Sequence, residues 1–184
     1  KYGSLIIKRF KRFKKIANVY YVLAFNAKEF GKGKTAKKYF QYALKKSSKR
    51  SAIHRKTNLA LAEIYFNEKK YKNAKALYSR GLAGKKDRWW TKDALNHAWT
   101  YFRTKNYRKA ISLAREVHRL SKNGKFIDVS ASAERDLALF YVKAGRLKEA
   151  ISFYQSLDQE FVNRLVQMAR FLMDQNQRTE AETI

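Results

Sequence analysis

Proline and cysteine are both missing from the 184 residues, and glycine occurs only seven times. Proline breaks a helix more firmly than any other residue, and glycine weakens one through its backbone freedom. Both gaps therefore point to an almost wholly helical chain. Without cysteine there is neither a disulfide nor a thiolate metal site, although this selects no compartment. Acidic residues are scarce as well, 15 against 42 lysines and arginines, for a formal net charge of +27. Apolar runs such as residues 5–7 and 19–25 fall far short of the ~20 residues that span a bilayer. The start lacks the apolar segment and small-residue cleavage site of a signal peptide. Lysine is not a translation start, and both ends read as cuts, so a segment of a longer chain is expected.

What is present argues for a packed protein. Twelve Tyr, twelve Phe and three Trp exclude a disordered polycation, and 45% apolar content supplies a core for a single domain over 1–184. The organising stretch is a sentence written twice, NLALAEIYFNEKKYKNAKALYSRGL from Asn58 and ALNHAWTYFRTKNYRKAISLAREVH from Ala94. Aligned, Ala62 falls on Ala98, Tyr65-Phe66 on Tyr101-Phe102, Tyr71 on Tyr107 and Ala74 on Ala110. Three more alanine pairs share the spacing of 12: Ala24 with Ala36, Ala138 with Ala150, and Ala169 with Ala181. Midway between the members of each pair lie turn-forming residues: Gly31 to Gly33, Asn67 to Lys70, Lys105-Asn106, Gly145 and Asn176. Small residues flanking a turn predict two helices that approach closely, with glycine or asparagine ending the first.

This frame resembles the tetratricopeptide repeat, a helix–turn–helix unit of about 34 residues. The spacings between first alanines, 38, 36, 40 and 31, are looser than that period. The tryptophan common near the start of the first helix is replaced by Tyr20, Asn58, Ala94, Glu134 and Leu165. The resemblance implies an all-α fold, a right-handed α-solenoid of antiparallel helix pairs. Its repeats are expected over about 17–50, 51–88, 89–124, 127–160 and 161–184, the last incomplete. Residues 1–16 read either as a basic amphipathic helix able to lie on an anionic membrane or track phosphates, or as a remnant of a preceding repeat. In the second reading Phe10 and Phe13 pack on repeat one.

Charge is unevenly placed. Up to Lys92 there are 27 basic and 4 acidic residues; from Asp93 onward there are 15 and 11. That asymmetry suits a polyanionic neighbour, whether nucleic acid, anionic lipid, an envelope polysaccharide or an acidic protein, and equally a lysine-rich solvated surface. Candidate polyanion contacts are Lys8, Arg9, Lys11, Arg12, Lys14 and Lys15, with Lys85, Lys86 and Arg88 beside Trp89-Trp90.

The sequence offers no catalytic or cofactor constellation. His54, His97 and His118 are scattered, and His97 precedes the packing residue Ala98, which reads as a helix-interface histidine. Glu134 with Asp136, and Asp158 with Glu160, are two apart and point to different sides of a helix. Neither an enzyme nor a small-molecule substrate is expected. By the resemblance, first helices of successive repeats line a groove that takes peptides. Carried over, the lining is Phe25, Leu59, Phe66, Leu95, Trp99, Phe102 and Leu139, with Lys56, Lys92, Arg103, Arg135, Lys143 and Arg170 among them. Aromatics and arginine dominate binding hot spots, so an acidic, partly apolar protein or peptide is the expected partner. Lys56, Lys92 and Asn96 echo a carboxylate clamp, but Glu63 would repel a carboxylate. The general style of the sequence leans toward a bacterial envelope or motility assembly, with the cytoplasm as the alternative.

Overall fold

The structure, a computed structural model, describes residues 2–10, 12–157, 161–174, 176–182 and 184, and contains no strand among them. It divides into two compact units, Lys1–Asp87 and Arg88–Ile184. The first holds α1 (Tyr2–Arg9), α2 (Ile16–Glu29), α3 (Gly33–Lys46), α4 (Ala52–Asn67) and α5 (Tyr71–Gly81). The second holds α6 (Trp90–Arg103), α7 (Tyr107–Ser121), α8 (Ser130–Lys143), α9 (Leu147–Gln155), α10 (Phe161–Asp174) and α11 (Arg178–Glu182). From α2 onward the helices form pairs, α2 with α3, α4 with α5, and so on to α10 with α11.

Each pair turns in the same way. The residue seven past the first alanine is left-handed: Gly31, Lys69, Lys105, Gly145 and Asn176, with φ between 57° and 69°. Around it two backbone bonds close the helix end. The N–H of Lys32, Lys70, Asn106, Arg146 and Gln177 donates to the carbonyl of Ala27, Tyr65, Tyr101, Tyr141 and Leu172, at 2.8–3.0 Å. The left-handed residue itself donates to the carbonyl three before it, as Lys69 does to Phe66 at 2.9 Å. These bonds satisfy carbonyls that a bare helix end would leave orphaned. In the second and third pairs the strained position carries lysine, not the nearby Asn67 or Asn106. A side chain at φ > 0 costs roughly 1 kcal/mol. Lys69→Gly and Lys105→Gly should therefore each stabilise the protein by about 1 kcal/mol. The check is a higher urea midpoint at unchanged slope.

Alanine lets the paired helices meet. Ala24, Ala36, Ala62, Ala74, Ala98, Ala110 and Ala150 are fully buried. In the first unit they sit among Phe40, Leu61, Leu77 and Tyr78. Two first alanines depart from this pattern, since Ala138 and Ala169 are only half-buried. In α8 and α10 the interior is taken by larger neighbours on the same face, Leu137 with Tyr141 and Met168 with Leu172. The helices are turned so that these bulky chains leave water, where burial is worth most.

The N-terminal stretch also differs from the single helix that its spacing predicts. α1 stops at Arg9, residues 12–15 turn, and α2 begins at Ile16. Phe10 and Phe13 are 59% and 45% exposed rather than packed on the first pair. Six cations crowd residues 8–15. Like charges three and four apart repel along a continuous helix, which favours a break.

Candidate functional site

α6 and α8 meet through aromatic rings. Trp99 and Phe102 lie on one face of α6, 5.3 Å apart and edge to face. Phe140 of α8 stacks on Phe102 at 4.8 Å and meets Trp99 edge-on at 5.1 Å. The Trp99 indole N–H donates to Asp136 Oδ2 at 2.7 Å, and the Arg103 guanidinium sits 5.5 Å over the same ring. Much of the aromatic area expected to line a groove thus holds α8 in place. Leu95 is buried, at 7% exposure, and offers nothing to a guest; the expectation for it is corrected. Helix periodicity puts Leu95 beside Trp99, but burial depends on what packs over that face.

Burial raises the Asp136 carboxyl above the usual aspartate range, while the Trp99 N–H and the Arg135 charge pull it back. The sign of its pH effect follows. The folded state holds the proton more tightly than the unfolded one. Stability from this group is therefore present below the ordinary aspartate pKa, about 4, and falls as pH rises through the higher folded value. Asp136→Asn keeps an acceptor for Trp99 and removes the desolvated charge. It should raise Tm at neutral pH and flatten the decline above pH ~4, as thermal melts across pH would show.

Next to this contact, between α8 and α10, lies a cavity of about 550 Å³. Ala131, Ala138, Leu139, Met168 and Phe171 supply its apolar wall; Arg135, Asn163 and Gln167 supply polar groups. The turn of α8 noted above explains the space. Its small Ala131 and Ala138 face the cavity, so no large side chain fills it. At its edge Glu134 accepts from His118 Nε2 at 2.7 Å and from Arg164 Nε at 2.9 Å. The Tyr154 hydroxyl donates to the Glu134 carbonyl at 2.7 Å. Burial pushes the Tyr154 hydroxyl pKa up, so it remains a donor. Arg135 has a different situation: it is exposed and bonded through Nη2 to the Ser132 hydroxyl at 3.1 Å. Sequence reading named Arg135 and Leu139 here but missed Asn163, Gln167 and Phe171. Only their spacing on α10 hints at a shared face.

In the first unit, Phe25 is exposed beside Tyr21, and Lys56 is exposed. Leu59 and Phe66 are half-buried against the core. Leu59 lies over Gly81, where an added Cβ would come within 2.6 Å of it. Lys28 pairs with Glu63 at 2.7 Å. Lys92, Arg103, Lys143 and Arg170 are exposed in the second unit. Among the basic candidates Lys8, Arg9, Arg12, Lys14, Lys15, Lys85 and Arg88 are exposed and Lys86 is half-buried; Lys11, like Asp158 and Glu160, lies outside the described residues. Of the tryptophan pair, Trp90 is buried against Phe126 at 6.4 Å, while Trp89 is 57% exposed.

The histidines all have local partners. His54 Nδ1 is 2.9 Å from the Ser47 hydroxyl, and His118 meets Glu134. His97 Nδ1 lies 2.9 Å from the Thr100 hydroxyl, whose oxygen is also 2.7 Å from the His97 carbonyl. Among the described residues no three His, Asp or Glu side chains gather as metal ligands, and no helix is long and apolar enough to cross a membrane.

A family model described as tetratricopeptide repeat matches residues 56–83, which span most of α4 and all of α5. No curated protein matches the sequence. Solved structures do. BtubC from P. vanneervenii is 17% identical with a TM-score of 0.65, pairing 86% of this chain with 65% of that one. The chain thus spans just under two thirds of BtubC. YrrB, described as a TPR protein with an unusual peptide-binding site, is 16% identical with a TM-score of 0.66, covering 97% of this chain and 88% of its own. MamA is 17% identical with a TM-score of 0.65, covering 91% and 86%. At such identities the likeness is one of fold, a helical-repeat solenoid.

Proposed function

From a chain that carries a tetratricopeptide repeat and has the fold of that family's solenoids, we propose a non-enzymatic interaction scaffold whose α6–α8–α10 face grips an acidic, partly apolar peptide. Protein-interaction scaffolding is the general role of this fold, and it is generally non-catalytic. The cavity between α8 and α10 carries the finer reading. Its volume falls within the range of small-ligand sites, and its apolar wall with a few polar groups has their composition. An aliphatic or aromatic side chain fills the space by Ala138 and Met168, while a neighbouring carboxylate reaches Arg135. Among the described residues, Glu134 at the edge of this cavity is engaged by His118 and Arg164, and Asp136 by Trp99. Arg103, Lys143 and Arg170 add exposed basic side chains along the same helices. The peptide-binding site in the description of YrrB supports the reading by analogy of fold.

The test is selection from a displayed random-peptide library. Enriched peptides should combine Asp or Glu with Leu or Phe. Ala138→Phe, which fills the cavity, and Arg135→Glu should each weaken the best peptide at least about tenfold, with helical circular dichroism unchanged. Failure to enrich such peptides, or equal binding by both variants, would refute the site.

A further inference from the structure

The first unit carries a second surface that the groove does not use. The first acidic residue in the chain is Glu29, so residues 1–28 are purely basic. Within them Lys8, Arg9, Arg12, Lys14 and Lys15 are exposed. Among these cations Leu5, Phe10 and Phe13 stand 42%, 59% and 45% exposed. The break after α1 produces this mixture. Phe10 N–H donates to the Ile6 carbonyl at 2.8 Å and Phe13 N–H to the Phe10 carbonyl at 2.9 Å. The first bond continues the helical pattern of α1 and the second closes one turn after it, and both rings stand exposed. Folding does not hide them.

From this juxtaposition we infer that residues 5–10 and 12–15 form an attachment surface for an anionic lipid bilayer. Lysine and arginine concentrated beside a membrane are attracted to acidic headgroups, within a Debye length of about 8 Å at physiological salt. Apolar side chains among them enter the interface at the level of the acyl boundary. A purely phosphate-tracking surface needs only the cations. Phenyl rings beside cations also stack unpaired bases, whereas the exposed aliphatic Leu5 among them is a group that a lipid interface rewards and a nucleic acid does not. The absence of any carboxylate before Glu29 means that no internal partner within this stretch competes for the cations. Attachment here is peripheral and salt-sensitive.

The test is co-sedimentation of the whole chain with phosphatidylcholine vesicles, with and without phosphatidylglycerol, across a salt series. Binding is expected only with phosphatidylglycerol and should fall as salt rises. Phe10→Ser with Phe13→Ser, at positions already exposed, should weaken it about tenfold while leaving circular dichroism unchanged. Arg12→Gln, Lys14→Gln and Lys15→Gln together should weaken it further. Ala138→Phe should bind vesicles as the wild type does, which separates this surface from the peptide cavity. The inference is overturned if phosphatidylglycerol vesicles do not bind, if neutral vesicles bind equally, or if the Phe10/Phe13 variant binds undiminished. Capture of a single-stranded RNA oligomer in place of the vesicles would also overturn it and assign the patch to nucleic acid.

Discussion

Phe140→Ala is expected to destabilise the protein by about 4 kcal/mol, read as a lower urea midpoint. The side chain is fully buried in α8. One face stacks on Phe102 at 4.8 Å and its edge meets Trp99 at 5.1 Å. Truncation removes a large apolar surface and leaves a void that fixed helices close only in part. The same loss reaches function, because these rings hold α8 where its Ala138 borders the cavity. Peptide affinity should fall with stability in this variant, whereas Phe140→Leu, which keeps most of the volume, should cost less. A loss below about 1 kcal/mol for the alanine variant would mean that the ring stack does not hold the two helices.

Glu134→Ala should be nearly as damaging, at about 3 kcal/mol. The carboxylate ties three helices together: His118 from α7 at 2.7 Å and Arg164 from α10 at 2.9 Å. Side-chain exposures of 7% for His118 and 13% for Glu134 place the pair in a low-dielectric setting. The guanidinium is charged at any ordinary pH, so removing the acid takes a close counter-charge from a partly desolvated cation. A double-mutant cycle supplies the discriminating measurement. Arg164→Met in the Glu134→Ala background should recover part of the loss, since the cation that lost this counter-charge goes with it. Strict additivity would show that the ion pair contributes nothing of its own.

Some of this was legible before any coordinates. The alanine pairs and the residues between them are local in sequence, so the helix–turn–helix frame could be read directly. The left-handed turn residue lies at the same offset in every pair, and only its identity in two of them, lysine rather than asparagine, was hidden. That choice turns on a difference of roughly 1 kcal/mol, which the hydrogen bonds of the turn and the packing of the pair can override. Groove positions fared unevenly. Arg135 and Leu139 border the cavity; Leu95 is interior; Trp99 and Phe102 are divided between exposure and the contact with α8.

By itself the sequence determined an all-helical repeat chain, the place of each turn from Gly31 to Asn176, and the concentration of positive charge in its first half. These depend on periodicity and composition, which short-range physics converts directly into structure. Tertiary structure alone decided how far each helix is rotated about its axis. One residue corresponds to about 100°, enough to move Leu137 inward and Ala138 to the wall of a cavity. That rotation is set by the summed burial of side chains on neighbouring helices, a quantity that no single stretch of sequence contains.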